Sequence, residues 1–144
     1  RGVDVDDRDR DAITTSATLL WINKYLADST WLHRDLIECT RHNDALYIDL
    51  YATREETDVS YSPTLQRLLD QSSGRHRVRF GRPSWDEVFP EIYKTLKERH
   101  GLQAGSVVGV FACGSHALTN DIAKACVAIS MKTGVVFSFQ YETF

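Results

Sequence analysis

The sequence predicts an α/β fold in which a mostly parallel sheet carries helices on both faces. Short continuous apolar runs, typical of buried strands, alternate along the chain with segments whose apolar residues recur at helical spacing. Right-handed crossovers between consecutive strands then make those strands parallel. The 144 residues are enough for one domain with its own core.

Composition narrows the classes of function. Apolar residues make up 42% of the chain and charged residues 26%, no apolar run could span a bilayer, and no signal peptide is visible. The net charge of −3 gives no support to nucleic-acid binding. The three cysteines are widely spaced, which favours a reducing compartment, and the five histidines lack the spacing of zinc ligands. These features favour a globular domain without a metal site.

The start of the chain differs from the rest. Residues 1–16 are polar, rich in both acidic and basic side chains and without apolar periodicity, which predicts a flexible leading segment. The folded domain is predicted over residues 17–144. Because the sequence starts without Met, we expect it to be part of a longer protein.

The elements follow from apolar periodicity and from capping signals. In the first half these predict a buried strand over 17–22, a helix over 30–41, a strand with one wetter face over 46–51, a helix over 63–71 and a polar strand over 77–80. In the second half they predict a helix from Ser84 to Gly101, a buried strand over 107–112, a further helix and a last strand over 135–139. Ser84 and Glu87 are expected to form a capping box at the start of the third helix.

Ligands of such sheets lie at the carboxyl ends of the strands. The segments at those ends are Asn23-Lys24, Arg82-Pro83 and Cys113-Gly114-Ser115. Lys24 and Arg82 are cations of the kind that binds phosphate, although exposed cations are common. The three tryptophans, Trp21, Trp31 and Trp85, favour core positions over stacking platforms.

The Cys113-Gly114-Ser115 segment allows three interpretations. Gly114 permits a tight turn or the close approach of a flat ligand, and the following helix start offers free amides. A plain turn with a buried thiol fits the local sequence slightly better. A nucleophilic Cys113 with His116 as its base is the weakest interpretation, because no third member is evident.

Three ordered motifs resemble the NADPH oxidase family over roughly residues 17–144. They are Gly-Arg-Pro-x-Trp at 81–85, Val-Gly-Val-Phe-x-Cys-Gly at 108–114, and Phe-x-Phe-x-x-Glu-x-Phe at 137–144. Residues 20–24 also resemble a strand end at which the family has Trp-x-x-Arg. The resemblance implies a Rossmann-like nucleotide-binding domain of the ferredoxin-NADP reductase superfamily. Its first strand and glycine-rich loop are absent from these residues and are expected upstream of residue 1.

The resemblance also implies a reaction and its partners. NADPH would pass hydride to FAD, and haems in a transmembrane part would carry electrons to oxygen, forming superoxide. The domain would lie on the cytosolic side of a membrane protein, beside its FAD-binding and transmembrane haem domains and any regulatory subunits. The isolated chain is expected to be inactive and to bind NADPH weakly.

Residue roles are implied by the same motifs. Lys24 and Arg82 would contact the 2′-phosphate of NADPH, Cys113 and Gly114 would border the nicotinamide, and Phe144 would stack on the flavin. The implied catalytic residues are Cys113, Glu142 and Phe144. The implied cofactor-binding residues are Trp21, Asn23, Lys24, Arg82, Pro83, Cys113, Gly114, Ser115 and Phe144.

The chain departs from the family at several positions, and two other functions stay open. Lys24 stands where the family has Arg, which loses a bidentate fork. Ser115 stands for Pro, and Thr143 for Asn. A ferric reductase of the same architecture is one alternative. A non-catalytic docking domain is the other, motivated by the missing glycine-rich loop.

Overall fold

The computed structural model describes residues 15–41, 43–55, 61–71 and 74–143. The chain divides into two compact units, Arg1–Arg82 and Pro83–Phe144, each with its own sheet and core. The predicted leading segment, residues 1–16, lies outside the described residues apart from its last two, and it stays a prediction.

The first unit is a parallel three-stranded sheet with two helices. Its elements are β1 (Ala17–Asn23), a 3-10 turn (Leu26–Ser29), α1 (Thr30–Arg41), β2 (Leu46–Ala52), α2 (Pro63–Gln71) and β3 (His76–Phe80). The strand order is β1-β2-β3, and both pairs are parallel. The strands and helices predicted for this half are confirmed, with bounds that shift by at most one residue.

The core of the first unit joins both helices to one face of its sheet. Leu65 and Leu68 of α2 are each 1% exposed, and burying a leucine side chain contributes roughly 1.5–3 kcal/mol. The other buried members are Leu26, Leu36, Ile37, Ile48, Leu50 and Ala52. Every second residue of β2 therefore faces the helices, as its alternating pattern predicted.

The opposite face of β2 is polar but buried, so the prediction of a wetter face is wrong. Asp49 is 4% exposed. Its carboxylate accepts from Arg77 Nε at 2.8 Å, from Arg77 Nη2 at 3.0 Å and from Arg79 Nε at 3.0 Å. The Arg79 guanidinium also lies 6.0 Å from the centre of the Tyr51 ring. A carboxylate is tolerated there because two guanidinium groups of the neighbouring strand neutralise it.

The second unit is a parallel two-stranded sheet with two helices. Its elements are α3 (Trp85–His100), β4 (Val107–Gly114), α4 (His116–Thr133) and β5 (Val136–Thr143), with β4 paired to β5. Both strands run further than predicted, because their ladder continues to the pairing of Gly114 with Thr143. Cys113 and Gly114, which the sequence predicts to lie in the turn after this strand, therefore belong to β4.

Apolar packing in the second unit lies on one face of its sheet. Phe89 of α3 meets Phe137 of β5 edge to face, with ring centres 5.8 Å apart. The other buried members of this core are Ile122, Ala125, Cys126, Ile129 and Val135. The parallel α/β class is confirmed in both units, while a continuous sheet with helices on both faces stays a prediction. No helix in the described part of the chain is long and apolar enough to cross a membrane.

The start of α3 differs from the predicted capping box. Ser84 has an extended backbone and makes no side-chain capping bond, so the predicted capping box is wrong. The Ser84 carbonyl instead accepts from the amides of Glu87 and Val88, at 3.0 and 2.9 Å. The helix ends at Gly101 as predicted, in the left-handed conformation with φ 63°.

Candidate functional site

The strands of the first unit end in one row. Asn23 pairs with Ala52, and Ala52 pairs with Phe80, so the last residues of β1, β2 and β3 lie side by side. Carboxyl ends of parallel strands are where ligands of such sheets bind. The residues that follow this row are therefore the candidate site of the first unit.

Each of these three strand ends is followed by a cation. Lys24 follows β1, Arg54 follows β2 and Arg82 follows β3, and all three side chains are exposed. None of them forms a salt bridge with another residue in the described part of the chain. Lys24 and Arg82 are predicted as site residues from the sequence, and the same rule of a cation after a strand also applies to Arg54. This edge is suited to an anion such as a phosphate.

Gly81 sets the position of Arg82. Its backbone is left-handed, with φ 83°, and a Cβ there would meet open space. Glycine is therefore favoured at this position by its conformation and not by crowding. The Gly81 amide donates to the Ala52 carbonyl at 2.9 Å, which holds the turn that carries Arg82 against the end of β2.

Two predicted cofactor-binding residues are engaged within the fold. In the amide orientation that satisfies its neighbours, the Asn23 oxygen accepts from Trp21 Nε1 at 3.0 Å and from the Ser29 amide at 3.3 Å. Trp21 packs against the core and meets Trp31 edge to face at 5.9 Å. The Asn23 amide therefore ties the end of β1 to the 3-10 turn, and a ligand contact by either residue stays a prediction.

In the second unit the structure brings Cys113 and Glu142 together. They are partners in the register of β4 and β5, so their side chains lie on the same face of the sheet. Cys113, Glu142 and the neighbouring Phe111 are exposed on that face, Phe111 to 78%. This exposed face continues to the carboxyl ends of the two strands.

Gly114 and Ser115 connect β4 to α4. Gly114 is buried, and a Cβ built on it would lie 2.7 Å from Leu118 Cδ2. Ser115 is the N-cap of α4, where its Oγ accepts from the Leu118 amide at 3.4 Å. Both residues thus have a role in joining strand to helix. The contact of Gly114 with the nicotinamide and the contact of Ser115 with the cofactor stay predictions.

Cys113 and His116 do not form a nucleophile pair in the described part of the chain. Cys113 and His116 are both exposed, and no hydrogen bond joins them. Cys126 is buried in α4, and this burial raises the pKa of its thiol to about 11. In the described residues no group of three or more His, Cys, Asp or Glu side chains could hold a metal ion.

The two remaining predicted site residues are Pro83 and Phe144. Pro83 is half-buried and begins the second unit just before α3. Phe144 lies outside the described residues, immediately after the end of β5. Their predicted roles, in cofactor binding and in stacking on a flavin, stay predictions.

The sequence matches a known family over most of its length. Residues 7–127 match the family described as the ferric reductase NAD binding domain. The chain belongs to the ferric reductase NAD-binding domain family. The position of the candidate residues at the carboxyl ends of parallel strands is the one expected of a nucleotide-binding domain.

Curated relatives of this domain are oxidases by name, and one of them is named as an NADPH oxidase. Over 91% of its length the chain is 30% identical to respiratory burst oxidase homolog protein G of Arabidopsis thaliana. It is 28% identical over 87% of its length to Dual oxidase 1 of Homo sapiens, and 32% identical over 75% to the heavy chain of a superoxide-generating NADPH oxidase from Dictyostelium discoideum. These matches confirm the resemblance to NADPH oxidases. The chain spans 16%, 8% and 20% of the length of these three proteins.

Proposed function

We propose that the chain is the NADPH-binding portion of a flavin- and haem-dependent NADPH oxidase that produces superoxide. The observation that carries the proposal is the row of cations after β1, β2 and β3. An NADP-type site needs cations for its extra phosphate, where an NAD-type site uses a carboxylate. The names of the relatives, all of them oxidases, support the reaction.

Roles for the candidate residues of each unit are part of the proposal. Lys24 and Arg82 bind the 2′-phosphate, while Cys113 and Glu142 border the nicotinamide on the open face of the β4–β5 sheet. Gly114 and Ser115 hold Cys113 at the end of its strand. When bound, NADPH supplies the hydride that reduces FAD. The chain itself binds and orients, and orientation of reacting groups accounts for much of the rate in such transfers.

The wider setting of the domain is also part of the proposal. Phe144 shields the flavin ring when no nicotinamide is present, and Trp21, Asn23 and Pro83 line the cofactor site. The domain lies on the cytosolic side of a membrane protein, beside its FAD-binding and haem-carrying domains. Regulatory subunits are further partners.

An Arg82→Ala substitution in the intact oxidase tests the 2′-phosphate role. We expect kcat/KM for NADPH to fall roughly tenfold while kcat/KM for NADH changes little, because one charge-assisted hydrogen bond to the extra phosphate is lost. Arg67→Ala, an exposed arginine of α2, is the matched control and should change neither value. An unchanged ratio of the two cofactors in the Arg82→Ala enzyme would contradict the assignment.

A ferric reductase is the second candidate, because the matched family carries that description. Both candidates share the binding of the nicotinamide cofactor and differ in the electron acceptor. The intact protein is supplied with NADPH under air, and superoxide is measured beside iron(II) formed from a ferric chelate. Superoxide formed without the chelate supports the oxidase, and iron(II) that still forms when superoxide dismutase is present supports the reductase. Formation of neither product would favour a non-catalytic docking domain.

A further inference from the structure

We propose that two copies of this chain associate through the outer edge of β5 and the flank of α4 formed by Asn120, Ala123 and Val127. A strand edge with unpaired backbone groups is a template for pairing with another chain. This interface lies in the second unit and is independent of the cofactor roles proposed above. Its edge and its flank are both self-complementary, as an interface with two-fold symmetry requires.

The outer side of β5 has no backbone partner in the described part of the chain. The strand pairs with β4 alone, and the Val136 amide donates towards β4, to the Ser106 carbonyl at 2.8 Å. Because the backbone groups of successive residues point to opposite sides of a strand, those of Phe139, Tyr141 and Thr143 point outward. No hydrogen bond joins these three residues to any other described residue on that side.

The sequence of β5 lacks most features that protect an edge strand. Over Val136–Thr143 the strand contains no proline, lysine or arginine, and Glu142 is its one charged residue. Tyr141 is 58% exposed, and its ring stacks on that of Phe139 with ring centres 5.5 Å apart. An extended edge with aromatic side chains and few charges favours pairing with a further strand.

The helix α4 borders this edge with an uncharged flank. Ser130 Oγ accepts from the Phe137 amide at 2.9 Å, so this side of the helix leans over the outer side of β5. Val127, Ala123 and Asn120 lie three, seven and ten positions before Ser130 and therefore on the same flank. Val127 is 59% exposed. Apolar surface thus lies directly beside the unpaired edge.

A second copy of the chain carries a strand that matches this edge. In an antiparallel pairing centred on Gln140, Phe139 faces Tyr141 of the second copy, and each amide donates to the other's carbonyl. The Thr143 amide donates in the same way to the Phe137 carbonyl, while the Phe137 amide keeps its bond to α4. Two-fold symmetry doubles each of these bonds. Every outward amide of β5 is then satisfied.

The side chains suit the same register. Phe139 and Tyr141 of the two copies form cross-strand aromatic pairs on the helix side of the sheet, which stabilise an antiparallel pair. On the other face Glu142 lies opposite Ser138 of the second copy, so like charges do not meet. The helices of both copies lie on one side of the combined sheet, so the face that carries Cys113 stays exposed.

The two α4 helices meet across the two-fold axis in this arrangement. Each helix packs over its own β4 and β5. Since neighbouring strands are roughly 4.8 Å apart, the two helix axes come roughly 10 Å apart, a usual helix packing distance. The small side chain of Ala123 permits this approach, and Val127 of each copy is removed from water against the other helix. One partner therefore covers both the edge and the flank.

Disulfide trapping in the 144-residue chain tests the register. Residues 140 of the two copies form a non-hydrogen-bonded pair with Cα atoms roughly 4.5 Å apart, a distance that suits a disulfide. Gln140→Cys is compared with Ser138→Cys, which lies on the same strand and face and is also exposed, but opposite Glu142. Both variants also carry Cys39→Ser and Cys113→Ser, which remove the exposed native thiols.

We expect air oxidation with a copper catalyst to convert Gln140→Cys into a covalent dimer on a non-reducing gel. The yield should exceed that of Ser138→Cys by about tenfold or more, because the control thiols are held too far apart to bond. The trapping is repeated in the intact oxidase, where the same difference is expected.

Sedimentation equilibrium of the unsubstituted chain measures the dimer without a cross-link. The average mass should rise towards twice that of one chain between micromolar and millimolar concentration. Val127→Lys should raise the dimer Kd about tenfold or more, because it brings like charges together across the two-fold axis. Ala128→Lys adds the same charge at the next exposed position, on another side of α4, and should change Kd little. An unchanged thermal midpoint shows that each variant folds.

Three results would overturn this interface. The first is a monomer at every concentration together with equal trapping of Gln140→Cys and Ser138→Cys. The second is an equal effect of Val127→Lys and Ala128→Lys on Kd, which would place the association elsewhere on the chain. The third is trapping in the 144-residue chain but not in the intact oxidase, which would show that another segment of the longer protein occupies the edge.

Discussion

Glycine at position 114 is favoured because the side chain of Leu118, from the helix that follows, packs directly over it. Its backbone is not left-handed, so a turn does not explain the glycine. A Cβ at this position would lie 2.7 Å from Leu118 Cδ2, and such a contact forces one of the two groups to move. The close contact at Gly114 within the protein is thus made by Leu118, and the close approach of a flat ligand stays a prediction.

Gly114→Ala should lower the free energy of unfolding by about 1 kcal/mol, because Leu118 is only half-buried and its side chain can turn aside. In a Leu118→Ala background the same change should cost close to nothing, since the clashing methyl group is gone. Urea unfolding of the four proteins measures both values. Equal costs in the two backgrounds would refute the steric explanation.

Gly109→Ala is the matched control for this pair. Gly109 also lies in β4, and a Cβ there would meet Phe111 Cε2 at 3.5 Å, an ordinary contact. The control therefore carries the same change in strand propensity without the clash. It should leave stability unchanged or raise it slightly, because alanine restricts the unfolded chain.

Residues of the candidate site could be predicted from the sequence only where their position relative to a strand end is enough to identify them. Lys24, Arg54 and Arg82 each follow the end of a strand, and apolar periodicity in the sequence locates those ends. The hydrogen bonds of the Asn23 side chain could not be predicted from the sequence, because they depend on where the 3-10 turn places the backbone amide of Ser29. The burial of Asp49 depends likewise on two arginines 28 and 30 residues away.

At the scale of elements, periodicity predicted the location of each helix and strand but not how far a strand extends. The last strand was expected to end at Phe139, yet it continues to Thr143 because β4 provides a hydrogen-bonding partner that far. Its final residues are exposed and carry no apolar period. Strand length depends on the neighbouring strand, and local sequence does not contain that information.

The junction of the 3-10 turn and α1 contains a buried histidine. His33 is 1% exposed, and its Nε2 lies 2.9 Å from Ser29 Oγ. The Ser29 hydroxyl donates to the Leu26 carbonyl at 2.8 Å, so it must accept from Nε2. A second proton would go to Nδ1, which is buried and has no partner among the described residues.

Burial lowers the pKa of His33 below its ordinary 6.5, so acid should destabilise this unit. The unfolded chain takes up the proton as the pH falls through 6.5 and the folded chain does not, so stability is lost until the pH reaches the folded pKa. Chemical unfolding from about pH 7.5 to about pH 5, where histidine titrates, should show a steeper loss in the unsubstituted chain than in His33→Leu.

The same experiment separates His33 from the other buried histidine. Burial, followed by the charge of Arg75, lowers the pKa of His76, which therefore contributes a loss of the same sign. His76 is present in both proteins, so the difference between the two curves belongs to His33. Parallel curves would show that His33 does not contribute to the acid sensitivity.

At the scale of the whole molecule, the sequence predicted one α/β domain, and the described residues form one buried apolar core in each of the two units. One core consists of residues between Leu26 and Leu68, the other of residues between Phe89 and Phe137, and they have no member in common. Periodicity shows which residues are buried but not which of them are buried together, because strand partners are chosen by long-range packing. Because the two cores share no residue, we expect a truncation in the core of one unit to destabilise the strands of that unit alone.

Leu68→Ala and Phe89→Ala test this independence, because each removes a large buried side chain from one core. Each should cost about 3 kcal/mol, the usual cost of such truncations. Hydrogen exchange should quicken in β2 but not in β4 for Leu68→Ala, and in β4 and β5 but not in β2 for Phe89→Ala. The two variants serve as each other's control, since each perturbs the unit that the other leaves intact. Equal acceleration of all strands in either variant would show instead that the two units unfold as one cooperative body.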